Sequence, residues 1–266
     1  MNYEKQFELL KEEIKELEEG KVKNSLTRIE NILDCLHNEF IVQREEKIIT
    51  RISEHINKKR LEIRKGKAVI ELEANAPKLI MHVIPLSAFA SEHLNYEIGL
   101  DIKNYKTLNL KPLYVNGWNH KIDKDGVYAY LDNYGYSKLY SNGVFESAER
   151  GMLSYNSIHI DLIESEILNG LEWYQQTLKN IVPKDKFLIS IQLIDVKEFP
   201  LYYQNDFGSI VQSTKVYEEK DLFLNPVMLS SINDNITLAM KPMFDELWRT
   251  FGLPESKNYK NGERVY

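Results

Sequence analysis

The first 65 residues contain no proline and a single glycine, Gly20, and apolar side chains recur through them every three or four residues. This spacing is the period of one face of an α-helix. Gly20 predicts the end of a first helix, because glycine accepts the left-handed conformation in which helices commonly terminate. A second helix is predicted to continue to Gly66, over about 43 residues and roughly 65 Å.

The second helix is too long to bury its apolar side chains against the first helix or a small domain alone. Beyond residue 40, the apolar stripe continues at four positions, which are Ile41, Ile48, Ile52 and Ile56. We therefore predict a helical hairpin or coiled-coil arm over residues 1–66, with these four isoleucines at an interface with a second copy or a protein partner. The alternative is a hairpin that packs on its own domain.

After Gly66 the apolar period shortens towards two, which predicts β-strands. Strands are expected at 68–72, 78–84, 127–131, 136–140, 144–147 and 187–196, and helices at 161–180 and 235–251, the last capped by Asn233 or Asp234. Because most strands precede the helices, the sequence predicts an α+β fold. The predicted organisation is a helical arm at 1–66 and, at 67–266, a largely antiparallel sheet domain with helices.

Composition and charge exclude several classes of protein. A single cysteine, Cys35, excludes an internal disulfide framework, and no apolar run approaches the length of a membrane span. The N-terminus is charged from residue 4 and does not resemble a signal peptide, so we expect a cytoplasmic protein. The net charge is −6, and residues 67–266 carry all of it. An acidic domain is a poor general binder of phosphate backbones, which disfavours nucleic acid as a partner.

A local basic run nevertheless favours an alternative function. It comprises Lys58, Lys59, Arg60 and Arg64, near the predicted end of the second helix. These side chains are candidate nucleic-acid ligands, together with a tyrosine-rich face between residues 96 and 140. The competing interpretation is that cations near a helix C-terminus stabilise the helix dipole, and that tyrosine simply suits a half-exposed strand.

Evidence for catalysis is sparse in this sequence. His159 and Asp161, with Glu164 and Glu166 close behind, are the candidate metal ligands, but no second ligand cluster stands at a recognisable spacing. His82 lies in an apolar strand, where a core histidine is the usual occupant. No phosphate-binding loop, dinucleotide fingerprint or nucleophile elbow is present, so we predict no cofactor and favour a protein that is not an enzyme.

Several short blocks occur in one order along the chain. They are His82–Leu86 (which includes Pro85) with Phe89, Asp125–Gly126, Gly135–Tyr136, Gly143, Glu146, and a closing stretch of Phe244, Asp245, Trp248, Gly252, Ser256 and Asn258. Together they resemble the C-terminal region of bacterial Schlafen-like, Alba-type DNA- or ATP-binding proteins, over about residues 58–262. The resemblance implies the fold of that region and a bacterial context, with anti-phage defence as one setting.

The chain departs from that family in two places. Arg249 and Thr250 replace an Asn-Ala pair of the closing block. The N-terminal Alba-type domain, to which the family's nucleic-acid binding is attributed, has no counterpart, and the helical arm stands in its place. The resemblance therefore transfers neither DNA binding nor catalytic residues.

Three hypotheses follow, in this order. The first is a non-enzymatic assembly or sensor component of a bacterial system that oligomerises or docks through its arm. The second is a nucleic-acid-binding regulator that uses the basic run. The third is a metal-dependent hydrolase built on His159 and Asp161.

Overall fold

A computed structural model describes residues 3–18, 22–90, 108, 110–178, 185–205, 207–260 and 262–265. The chain divides into two compact units, Met1–Ser53 and Glu54–Tyr266. This division falls inside a helix, because the last turns of that helix pack within the second unit, where Ile63 joins a buried cluster with Ile80 and Tyr136. None of the described helices contains an apolar stretch long enough to cross a membrane.

Two helices account for the described part of the first unit. They are α1 (Tyr3–Glu18) and α2 (Val22–Arg64), and α2 continues into the second unit. The 43 residues of α2 confirm the predicted length, which the absence of proline and glycine permits. Arg28 Nη1 on α2 donates to Glu13 Oε1 on α1 at 3.0 Å, so the two helices are in contact.

The second unit is an α+β domain, as predicted. Its strands are β1 (Lys78–Pro85), β2 (Asn119–Asp123), β3 (Gly126–Leu131), β4 (Gly135–Tyr140), β5 (Phe145–Glu149), β6 (Ile158–His159), β7 (Phe187–Ile194), β8 (Pro200–Gln204), β9 (Ile210–Val216), β10 (Leu222–Phe223), β11 (Val227–Leu229), β12 (Tyr259–Lys260) and β13 (Glu263–Arg264). Its helices are α3 (Ile160–Leu178) and α4 (Ile236–Thr250).

An antiparallel sheet organises this domain. In the described residues its strand order is β10-β7-β1-β5-β4-β3-β2, with β11 also paired to β7. Strands β6, β8 and β9 form a second sheet, and β12 pairs with β13. Strand β1 is buried along its whole length, with Leu79 in the main core beside α3 and α4 and Ile80 in the cluster of Ile63. Burial on both faces explains its continuous apolar sequence.

Two local predictions were wrong. Residues 68–72 form no strand, because the chain must turn sharply between α2 and β1, and its pairing is limited to one isolated bridge between Lys67 and Glu71. The N-cap of α4 is Asn235, whose Oδ1 accepts the Leu238 N–H at 3.0 Å. The Asp234 carboxylate instead accepts backbone N–H groups that precede it in the chain, at Ser230 and Ser231.

A buried carboxylate, Glu164 of α3, ties the end of the chain to the core. It accepts hydrogen bonds from Trp248 Nε1 at 2.8 Å, Ser256 Oγ at 3.0 Å and Asn258 Nδ2 at 2.8 Å. Asp245 adds a bond from the backbone N–H of Ser256 at 2.9 Å. Burial raises the pKa of Glu164, although these donors act against the rise. The residues that carry the family resemblance at this end of the chain therefore have a structural role.

We expect Trp248→Ala to reduce the free energy of unfolding by about 3–5 kcal/mol, because the fully buried indole leaves both a cavity and an unpaired carboxylate oxygen. Urea denaturation measures this loss. Phe207→Ala is the matched control, because that aromatic ring is 93% exposed and its removal should change stability by less than about 0.5 kcal/mol. Equal effects of the two substitutions would contradict the assignment.

Candidate functional site

The arm carries large apolar side chains that remain exposed. On α2, Val42 is 54%, Ile41 40% and Ile49 37% exposed. Further exposed apolar side chains of the first unit are Leu9, Ile14 and Leu33, and Cys35 is also exposed. Exposed large apolar side chains, where they lie together, commonly mark a protein contact.

The structure divides the four predicted interface residues into two sets. Ile41 is exposed, whereas Ile48, Ile52 and Ile56 are buried in the single chain. Of the four, only Ile41 is accessible to another molecule. Val42 and Ile49, which the sequence did not single out, are the accessible neighbours.

The basic run is largely occupied by contacts within the second unit. Arg64 Nε lies 3.2 Å from Asp195 Oδ2, and its Nη2 also bonds to Asp221. Lys59 Nζ lies 3.6 Å from Glu62 Oε2.

The guanidinium of Arg60 stacks 4.6 Å from the centroid of the Phe223 ring. Lys58 is exposed, as are Lys65 and Lys67, which continue the run, but three lysines supply only part of the salt-dependent affinity that a nucleic-acid interface needs.

In the tyrosine-rich region, Tyr128 and Tyr136 are buried, whereas Tyr114 and Tyr134 are exposed. Tyr96 and Tyr105 lie outside the described residues.

His82 belongs to a buried polar centre in the main sheet. Its partner in the strand register is Glu146 of β5, and His82 Nε2 lies 3.2 Å from Glu146 Oε2. The other carboxylate oxygen accepts the hydroxyl groups of Tyr136 at 2.8 Å and Tyr140 at 3.1 Å. The ring of His55, from α2, packs edge-on with its centroid 6.4 Å from that of His82.

Opposing effects set the ionisation of this centre. Burial opposes the charge on Glu146, but the hydrogen bond and charge of His82, the charge of Lys59 and the Tyr136 hydroxyl outweigh it and lower the pKa of Glu146 to about 2. Burial and the neighbouring His82 lower the pKa of His55 to about 4. The His82 Nδ1 and His55 Nε2 atoms are buried, and no other group in the described part of the chain forms a hydrogen bond with them. Glu146 therefore carries its charge at neutral pH, beside His82 and the hydroxyl groups of Tyr136 and Tyr140.

The candidate metal ligands both take part in local packing. The His159 ring stacks on Tyr202 with centroids 5.2 Å apart, and Asp161 Oδ2 accepts the Gln204 N–H at 2.9 Å. Among the residues whose positions are given, no three His, Cys, Asp or Glu side chains are arranged to hold a metal ion.

Three further residues of the resemblance lie at turns. Pro85 ends β1, and Asp125 donates its backbone N–H to Asp123 Oδ1 in the turn between β2 and β3. At Gly126, an added Cβ would lie 2.2 Å from the Leu139 carbonyl oxygen, so only glycine fits there.

The sequence did not identify His55 and Glu149 as members of buried polar groups. Glu149 accepts the backbone N–H groups of Gly151 and Met152, and burial raises its pKa to about 7. The sequence signal for such groups was the pair of acidic residues in β5, Glu146 and Glu149. They break the alternation of apolar and polar residues expected of a strand with one buried face, so they predict buried polar partners.

Comparisons with protein-family models, with curated proteins and with solved structures each found no match for this chain.

We expect acid to destabilise the protein through His55. The ordinary pKa of 6.5 falls to about 4 in the folded chain, so below pH 6.5 the unfolded chain binds the proton more readily. Above pH 6.5 His55 is neutral in both states and does not lower the free energy of unfolding. As the pH falls from 6.5 to 4, the free energy of unfolding decreases by up to about 3 kcal/mol. His55→Gln should therefore show a flatter profile of unfolding free energy between these pH values. The exposed His37→Gln is the control, and a difference between wild type and His55→Gln that does not change with pH would refute the assignment.

Proposed function

We propose that this protein is a non-enzymatic assembly component of a bacterial system, acting in the cytoplasm and docking to protein through its helical arm. The observation that carries the proposal is the exposed apolar surface of α2 at Ile41, Val42 and Ile49, hereafter the arm surface. The bacterial setting, with anti-phage defence as one possibility, rests on the family resemblance alone.

The contact between Arg28 and Glu13 supports this assignment, because it places α1 beside the start of α2. Val42 and Ile49 lie further along α2 and are exposed in the described chain, so α1 does not cover them.

Energetics favour a protein as the covering molecule. Each large aliphatic side chain moved fully out of water contributes about 1.5–3 kcal/mol, and these side chains are partly exposed, so each gains less. Three per chain can offset part of the entropic cost of association. The exposed Leu9, Ile14 and Leu33 of the same unit would extend such a contact.

The two other functions have weaker support. Nucleic-acid binding would rest on a basic run in which Arg64, Lys59 and Arg60 already contact the protein itself. A hydrolase would rest on His159 and Asp161, which stack on a ring and accept a backbone N–H.

We expect Val42→Asp/Ile49→Asp to weaken association of the full chain, because a buried charge at an interface is costly. Light scattering measures self-association, and affinity capture from an extract of the source cells, followed by mass spectrometry, measures retention of a protein partner. Both positions are exposed, so the substitutions should leave the unfolding free energy within about 0.5 kcal/mol of wild type.

Gln43→Asp/Thr50→Asp is the matched control, since it adds the same charges at exposed polar positions one residue further along α2. The control should associate like wild type. If both double variants match wild type in mass and in the proteins retained, the proposed function is wrong. Binding of DNA or RNA that Lys58→Glu abolishes would favour the regulator instead.

A further inference from the structure

Three exposed side chains follow one stripe of α2 at a spacing of seven residues. They are Cys35, Val42 and Ile49. A seven-residue repeat keeps side chains on nearly the same helix face, drifting by only about 20° per repeat. The stripe overlaps the arm surface and extends it towards the acidic end of the arm.

We propose that the occupant of this stripe is a second copy of the same chain, with its α2 running antiparallel. The inference rests on the proposed docking function and specifies its partner. Cys35 and Ile49 lie at equal distances on either side of Val42 along the sequence. In an antiparallel pair, the stripe of one copy therefore faces the same stripe of the other. Val42 lies beside Val42 of the second copy, and Cys35 lies beside Ile49 of the second copy.

Charge favours the antiparallel arrangement over the parallel one. On α2 itself, residues 22–40 contain three acidic and two basic residues, a net charge of −1. Residues 41–53 contain three basic residues, Arg44, Lys47 and Arg51, and two acidic ones, a net charge of +1. Paired helices lie about 8–10 Å apart, within a Debye length of about 10 Å at 0.1 M salt, so these charges interact.

In a parallel pair, the two acidic segments would lie side by side and repel each other. In an antiparallel pair, the acidic segment of each copy lies towards the basic stretch of the other. The charge distribution therefore acts against the parallel pair and supports the reversed one.

The native cysteine makes the orientation measurable. Two residues can form a disulfide only if their Cα atoms lie within about 7 Å. In the antiparallel pair the two copies of Cys35 are separated along the helix axis by about 21 Å, so the wild-type chain cannot be crosslinked. In the Ile49→Cys variant, each introduced thiol lies beside Cys35 of the partner.

The experiment is oxidation of the full-length chain with diamide, which takes up the two electrons and two protons released when two thiols join. Ile49→Cys should give a disulfide-linked dimer on a non-reducing gel, and mass spectrometry should find the peptide containing Cys35 joined to the peptide containing position 49. Wild type and the Cys35→Ser/Ile49→Cys control should give none. A disulfide between positions 35 and 49 of one chain is excluded by the same axial distance.

Each other outcome overturns the inference. A wild-type dimer linked through Cys35 would show a parallel pair, and a link between the two introduced thiols in the control would show the same. Absence of crosslinks in all three proteins would exclude a second copy at this stripe. If Val42→Asp/Ile49→Asp still abolished retention of a protein partner in that case, the docking function would stand and its partner would be another protein.

Discussion

The 16 residues of α1 are too few to cover the 43 residues of α2, and the packing of the arm depends on this difference in length. A long helix gains most of its stability from packing an apolar face, not from helix propensity alone. The bond between Arg28 and Glu13 shows α1 beside the start of α2, and the apolar side chains further along α2 depend on other contacts. Val42 and Ile49 are left exposed, and the proposed docking function follows from them.

The α+β domain is stabilised differently, through carboxylates buried together with their donors. Glu146 joins His82 to two tyrosines across the sheet, and Glu164 joins α3 to Trp248 and the end of the chain. Each arrangement would be costly if a donor were removed, because an uncompensated buried charge remains. Several residues that carry the resemblance, among them His82, Glu146 and Trp248, belong to these two networks and have a structural role there.

Sequence reasoning succeeded where the determinants are local. The length of α2 could be predicted because no proline or glycine interrupts it, and β1 could be predicted because it is apolar and ends at Pro85. It failed where distant segments decide the outcome. Residues 68–72 have the composition of a strand but connect α2 to β1 in a tight turn, and His82 meets a carboxylate 64 residues away.

The apolar stripe of α2 illustrates the same limit at the candidate site. Ile41 and Ile48 obey one helical period, yet Ile41 is exposed and Ile48 is buried. The period identifies a helix face but not which part of it another segment covers. Val42 and Ile49 were missed because each follows a stripe residue directly in the sequence and so lies about 100° around the helix from it.

The most direct test of the docking account is the reaction rate of the native Cys35 with a maleimide, since this single cysteine is exposed in the free chain and lies on the stripe that a partner would cover. The rate is measured for the wild-type protein from low to high concentration, and again at low concentration in an extract of the source cells. The account predicts that the reaction slows in at least one of the two series, because a bound protein shields the thiol. A rate that stays constant in both series, at the value of an exposed cysteine, would contradict it.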